Sequence, residues 1–226
     1  MSEALETRDE GHESLRVLLV DDHDLFRTGL RNLLEEQGVE VVGEASAGAE
    51  AVRFVRELTP DVVVMDLNMP GMNGVEATKK ITIFAPLTRV VVLTISDQDG
   101  DVMDAIFAGA CGYLLKDASI QDVIRGIEAA AVGESLISPT IAGKVLERVR
   151  ATSASPEAAR AVRAELSDRE IEVLKLIANG KDNAQIAADL HISPKTVKNH
   201  ISNILMKLQI ENRIQAAVYA VRSGIV

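Results

Sequence analysis

The 226-residue chain carries 24 basic and 34 acidic side chains, for a net charge of −10, with four Phe, two Tyr and no Trp. So few aromatics exclude an extended stacking platform for single-stranded nucleic acid. The lone Cys111 excludes an intrachain disulfide or a cysteine-based metal centre, and no apolar run approaches the ~18 residues of a membrane helix. Residues 1–14 are acidic and polar, unlike a signal peptide, and are expected to form a disordered tail on a cytoplasmic protein.

From residue 15 to 137 two periodicities alternate. Strand candidates lie at 15–21, 39–45, 62–66, 89–94 and 112–115. The first, third and fourth are continuous Val/Leu/Ile/Met runs, as expected of strands covered on both faces. Helical spacing fills 25–36, 48–58, 74–84, 102–108 and 120–132, with Gly38, Pro60 and Pro86 as stop signals. The order is (βα)5, an α/β fold with a doubly wound parallel sheet and right-handed crossovers.

Ser138-Pro139 restarts a helix by an N-cap and a proline in the first turn. Residues 138–163 as a whole read as a partly helical linker. Ser167-Asp168-Arg169-Glu170 is a capping box, with Leu166 placed to staple against Ile171. Ile171, Leu174, Ile177 and Ala178 are expected to form that helix's buried stripe, and Gly180 to end it. Helices follow at 183–190, from Ser193-Pro194 to about Leu208, and from Asn212 to near Ser223. Residues 164–226 thus form an all-α, four-helix unit with a helix-turn-helix at its centre.

Each apolar strand candidate but the second delivers a reactive group at its C-terminal end: Asp21-Asp22, Asp66, Thr94 and Lys116. That edge is where open parallel sheets bind ligands. If the first and third strands are neighbours, three carboxylates meet and repel, unless a cation joins them. Mg²⁺ accepts a few carboxylate oxygens and leaves room for a phosphoryl oxygen. Asp66 can then act as nucleophile toward a phosphoryl group, with the Lys116 ammonium and the Thr94 hydroxyl meeting its oxygens. His23 is expected to orient a loop. Asp97, Asp99, Asp101 and Asp104 do not fit a calcium loop, because Val102 and Ala108 stand where Gly and Glu are required.

The segments Val-Asp21-Asp22-His23, Met-Asp66-Leu-Asn68-Met-Pro70-Gly71, Leu-Thr94-Ile-Ser96 and Gly-Tyr113-Leu-Leu-Lys116 resemble the receiver domain of two-component response regulators. The resemblance implies that Asp66 is the phosphoacceptor, and that Asp21, Asp22, Asp66 and the backbone carbonyl of Asn68 hold Mg²⁺. It makes Thr94 and Tyr113 a switch pair, with Tyr113 turning inward on phosphorylation. Ile95 and Asp117 depart from the commonest pattern, where a small residue and a Pro are usual, without removing a chemical group.

Charge is unevenly spread. Residues 1–137 hold 11 basic and 25 acidic groups, residues 164–226 hold 8 and 7, and residues 191–210 hold three Lys and no acid. An acid-free basic helix in an acidic chain points to a local nucleic-acid contact. On that helix Val197, Ile201, Ile204, Leu205 and Leu208 share the inward face, while Lys195, Lys198, Asn199 and Ser202 share another. Lys and Asn suit guanine and adenine edges. Leu166-Ser167-x-Arg169-Glu170, Gly180, Ile186-Ala187, Leu190 and Ser193-x-x-Thr196-Val197-Lys198-Asn199-His200 closely resemble the LuxR-type helix-turn-helix of the NarL/FixJ family. That resemblance implies base contacts from Lys195, Lys198 and Asn199 and backbone contact from Thr196. Ser202 stands where some relatives carry Lys. It also implies a homodimer formed through the last helix at Ala216, Ala217, Tyr219 and Ala220.

The expected protein is a cytoplasmic transcriptional regulator, not an enzyme, phosphorylated on Asp66 by a sensor histidine kinase and binding double-stranded DNA in the major groove as a dimer. One alternative is a regulator that binds DNA without phosphorylation and uses its receiver to dimerise. The other is a Mg²⁺-dependent phosphatase, for which Asn68 stands where a second Asp is needed.

Overall fold

Five parallel strands form one sheet in the order β2-β1-β3-β4-β5. They are β1 (Arg16–Val20), β2 (Glu40–Ala45), β3 (Val62–Met65), β4 (Arg89–Thr94) and β5 (Gly112–Leu115), in a computed structural model that describes residues 14–138, 141, 142, 144, 145, 147 and 165–226. Helices α1 (Asp24–Glu36), α2 (Gly48–Leu58), α3 (Gly74–Phe84), α4 (Asp99–Phe107) and α5 (Ile120–Ala131) alternate with the strands. The doubly wound order expected from the alternation is present. Most of the expected tail and linker lies outside the described residues; 141, 142, 144, 145 and 147 are helical.

The sheet is buried on both faces, which explains the unbroken apolar runs. One face packs Val17, Leu19, Val62, Val64, Val91 and Leu93 against α1 and α5. The other packs Leu18, Val20, Val63, Met65 and Val90 against α2 and α3. Register then fixes the site. Val20 lies beside Met65, and Thr94 beside Leu115. The next residue of each strand therefore emerges at the same edge.

Helix α4 starts three residues before the apolar spacing predicts. Gln98 is its N-cap, so the first turn holds Asp101 rather than apolar residues, and acids are favoured at that end of a helix dipole. Periodicity alone does not register such a polar turn.

The C-terminal unit contains α6 (Asp168–Ala178), α7 (Asn183–Leu190), α8 (Pro194–Leu208) and α9 (Arg213–Arg222). The capping box at Ser167 and Glu170 is formed, and Asp182 with Gln185 makes a second one. The buried stripe of α6 is Glu170, Val173, Leu174 and Ile177. Ile171 and Ala178 are only half-buried, because the face turns toward Val173 and the carboxylate at its end has a partner inside the domain. The turn between α7 and α8 pivots on His191 in the left-handed region, at φ 53°. Arg169 donates to the Leu190 carbonyl at 2.6 Å and fastens that turn to α6.

Candidate functional site

Asp66 follows β3, and its N–H donates to the Val20 carbonyl at 2.8 Å. The backbone of the phosphoacceptor candidate is thereby tied to β1, directly before Asp21. Asp66 and Asp21 are buried, at 2% and 5% exposure. Gly74 makes the close approach of α3 to this loop possible. A Cβ there would lie 2.0 Å from the Asp66 carbonyl oxygen.

Lys116 follows β5, and its N–H donates to the Thr94 carbonyl at 2.9 Å. Its ammonium lies 2.6 Å from Asp21 Oδ2 and 2.8 Å from Asp66 Oδ2, over the ring of Phe26 at 4.6 Å. Burial would lower the pKa of this ammonium, but its hydrogen bonds and charge attraction to Asp21 and Asp66 outweigh burial and raise it. The four strand ends predicted from sequence thus converge. Asp21, Asp22, His23 and Asp66 each present a ligand atom within 4.8 Å of the others.

The donors fit a divalent cation. Asp22 Oδ1 is buried, and among the described residues it has no hydrogen bond beyond the approach of the His23 Nδ1 at 2.8 Å, so a carboxylate oxygen here is well served by a cation. Asp66 Oδ1 accepts only a long bond, 3.4 Å, from the Asn68 N–H. This is an acidic pocket of the kind that receiver domains use for Mg²⁺.

Thr94 is fully buried, and its hydroxyl accepts from the Ser96 N–H at 3.3 Å. Tyr113 is also fully buried, with its hydroxyl donating to the Ser96 carbonyl at 2.9 Å. Its ring is thus turned inward, the position that the switch expectation assigns to it on phosphorylation. Burial, and then the nearby Asp101, Asp97 and Asp66, push the Tyr113 phenol far above its ordinary range. The ring packs against Leu67, Val92 and Ile141, so apolar burial suffices to hold it.

On α8, Lys195, Lys198, Asn199 and Ser202 are exposed, while Val197, Ile201, Ile204 and Leu208 are buried. Leu205, expected inward, is half-buried. Thr196 is half-buried, and its hydroxyl pairs with that of Ser193 at 2.8 Å.

The four residues expected on a dimer face divide. Ala216 and Ala220 have no exposed surface and belong to the domain's own core with Val173, Leu174 and Ile177. Their small side chains serve the close approach of α9 to α6, so they offer no surface to a second copy here. Ala217 and Tyr219 are half-buried.

Sequence reasoning missed the contacts between the two units. Ile214 and Val218 of α9 pack with Val102, Met103 and Ile106 of α4. Asn212 donates to the Ala110 carbonyl at 3.0 Å, Gln215 to the Ile106 carbonyl at 2.8 Å and Asn183 to the Glu134 carboxylate at 2.8 Å. A cleft of about 160 Å³ separates Lys198, Ile201 and Ser202 from Arg89, Cys111 and Gly133 of the receiver. The part of α8 that carries Lys198 and Ser202 is therefore turned toward the first domain. Burial pushes the Cys111 thiol on that wall up to about 11. The polar character of Asn212 and Gln215 was visible, but their partners lie more than a hundred residues away and leave no local signal.

Comparison with known proteins agrees with both halves. Residues 17–128 match the family model for the response regulator receiver domain, and residues 164–220 that for bacterial regulatory proteins of the luxR family. The chain is 47% identical over 215 residues to the transcriptional regulatory protein LiaR of Bacillus subtilis, covering 94% of this chain and 99% of that one. It is 39% identical over 214 residues to the response regulator protein VraR of Staphylococcus aureus strain NCTC 8325, with the same coverage. Among solved structures, the response regulator ChrA of a heme-sensing two-component system aligns over 94% of this chain and 99% of its own, with 36% identity and a TM-score of 0.52. RcsB, solved as two dimers bound to two parallel DNAs, aligns over 92% and 98%, with 26% identity and a TM-score of 0.53. The chain therefore belongs to the response regulators of the NarL/FixJ family, as a two-component transcriptional regulator with a receiver domain and a LuxR-type DNA-binding domain, and not an enzyme.

Proposed function

We propose that Asp66 accepts a phosphoryl group from the phosphohistidine of a sensor histidine kinase in the cytoplasm. An Asp66 carboxylate oxygen bonds to phosphorus as the bond from phosphorus to the imidazole nitrogen breaks, and that nitrogen keeps the electron pair. Asp21, Asp22, Asp66 and the Asn68 carbonyl would hold Mg²⁺, which supplies charge neutralisation for the transferred group. Lys116 exchanges its two carboxylate partners for phosphoryl oxygens. Thr94 turns its hydroxyl to the same group and draws the β4–α4 connection after it. The observation that carries this reading is the Lys116 ammonium, held by Asp21 and Asp66 at the end of β5 where the incoming charge must be met.

The packing of α9 on α4 supports a resting state in which Lys198 and Ser202 cannot enter a major groove. Movement of the β4–α4 connection would loosen that contact. The freed domain would then bind as a homodimer on half-sites about one helical turn apart, with Lys195, Lys198 and Asn199 at base edges and Thr196 at the backbone. Ala217 and Tyr219 are the residues of the proposed dimer face that retain surface.

The test is phosphorylation by acetyl phosphate in the presence of Mg²⁺. Wild-type protein should take up an acid-labile, hydroxylamine-sensitive label, and Asp66→Ala should take up none. Label of that chemistry on Asp66→Ala would overturn the assignment.

A further inference from the structure

We propose that His23 is a nitrogen ligand in the same pocket, and that it biases the site toward divalent transition ions over Mg²⁺. The proposal rests on the acidic pocket being the metal site, and it assigns the pocket a donor beyond the three carboxylates and the Asn68 carbonyl.

His23 occupies the N-cap position of α1, yet its side chain makes no capping hydrogen bond. Its backbone N–H already fastens the loop, donating to Asp21 Oδ1 at 2.9 Å. Loop orientation therefore does not need the imidazole. The ring nevertheless turns into the pocket, with Nδ1 2.8 Å from Asp22 Oδ1 and 3.3 Å from Asp21 Oδ1. Neighbouring donors around an octahedral ion with bonds of about 2.1 Å are roughly 3.0 Å apart. Both spacings sit close to that edge length, and the Asp22 oxygen concerned is a buried one whose polar neighbour is this same imidazole nitrogen.

Lys116 does not compete for these atoms. It holds Oδ2 of Asp21 and Oδ2 of Asp66, which leaves Asp21 Oδ1 and Asp22 Oδ1 directed toward the histidine side. His23 is 66% exposed, so the ring stands at the open rim where an ion enters. Imidazole suits zinc, nickel, iron and copper, whereas magnesium takes oxygen ligands and keeps its waters. One imidazole added to a carboxylate set therefore shifts selectivity without removing the capacity to bind Mg²⁺.

The test uses the full-length protein with Mn²⁺ as the paramagnetic probe. Electron paramagnetic resonance counts the bound ion, and electron spin-echo modulation reads nitrogen coordinated to it. Wild-type protein should bind Mn²⁺ with nitrogen modulation, which both His23→Ala and His23→Gln should lose. In calorimetric titrations the preference for Ni²⁺ over Mg²⁺ should fall in both variants. Bound Mn²⁺ without nitrogen modulation, or modulation that survives in His23→Ala, overturns the role of His23 and leaves the carboxylate site standing. Failure of wild-type protein to bind Mn²⁺ at all overturns both.

Discussion

Lys116 Nζ stands 2.8 Å from Asp66 Oδ2, and the same ammonium holds Asp21 at 2.6 Å. One cation thus restrains two buried acids at the ends of different strands. Among the described residues no other Lys or Arg pairs with either acid. With Asp22 beside them the cluster sets three carboxylates against one ammonium, so a divalent ion can enter it and a phosphoryl group can follow.

Lys116→Ala should therefore destabilise the receiver by ~3–5 kcal/mol, the usual cost of breaking a buried pair from one side. Mg²⁺ should restore part of that loss, because it neutralises the same carboxylates. Urea unfolding with and without Mg²⁺ measures both effects. An equal Mg²⁺ response in variant and wild type would show that Lys116 does not screen a metal site.

Val218 is 4% exposed and packs with Met103 and Ile106 across the two domains. An unpaired carboxylate there opposes the packed arrangement. Val218→Asp should enlarge the radius of gyration in solution scattering and raise DNA affinity without a phosphodonor. Affinity should rise about tenfold for each ~1.4 kcal/mol by which the packed state is weakened relative to the open one. Met103→Asp should do the same from the receiver side, leaving the DNA-binding domain unaltered. If Met103→Asp opened the molecule but left DNA affinity unchanged, the contact would not be inhibitory.

Lys198 is exposed on α8 and carries no ion pair among the described residues. Lys198→Ala should cost ~1–3 kcal/mol of operator binding by the phosphorylated protein if it contacts a base. A phosphate contact would instead appear as a smaller dependence of log K on log salt. Binding isotherms at several salt concentrations separate the two, and unchanged isotherms would remove Lys198 from the interface.

Glu170 joins the ends of two helices. Its carboxylate accepts from the Ser167 N–H at 2.7 Å and from Lys207 at 2.7 Å. Burial alone would raise its pKa, but these hydrogen bonds and the Lys207 charge outweigh burial and lower it. A depressed carboxyl contributes stability that is complete above its unfolded value, about 4.3, and is lost as pH falls through the folded value. The C-terminal domain should therefore weaken below about pH 4.3. Glu170→Ala should cost it ~1–3 kcal/mol at neutral pH and flatten the acid dependence. Thermal melts across that range test both, and an unaltered acid profile in the variant would count against the role.

Much of the site was legible because its parts are local. A buried parallel strand is an unbroken apolar run, and the residue after it must emerge at the edge, so Asp21, Asp66, Thr94 and Lys116 could be placed without coordinates. Helix starts at Ser167, Ser193 and Asn212 were equally visible, since a capping side chain bonds a backbone N–H three residues on. The start of α4 was not, because its first turn is polar. Ala216 and Ala220 were misjudged for a related reason: small side chains permit close packing but do not say whether the partner is another copy or α6.

By itself the sequence determined the (βα)5 alternation, the acids, hydroxyl and ammonium at the strand ends, and the basic helix after a tight turn, because each follows from backbone geometry within a few residues. Only the tertiary structure decided that Tyr113 is turned in, that Glu170 is bound to Lys207, and that α9 lies on α4 with Lys198 facing the receiver. Those contacts join residues far apart along the chain. Which apolar face meets which is set by the burial available once the whole chain is assembled.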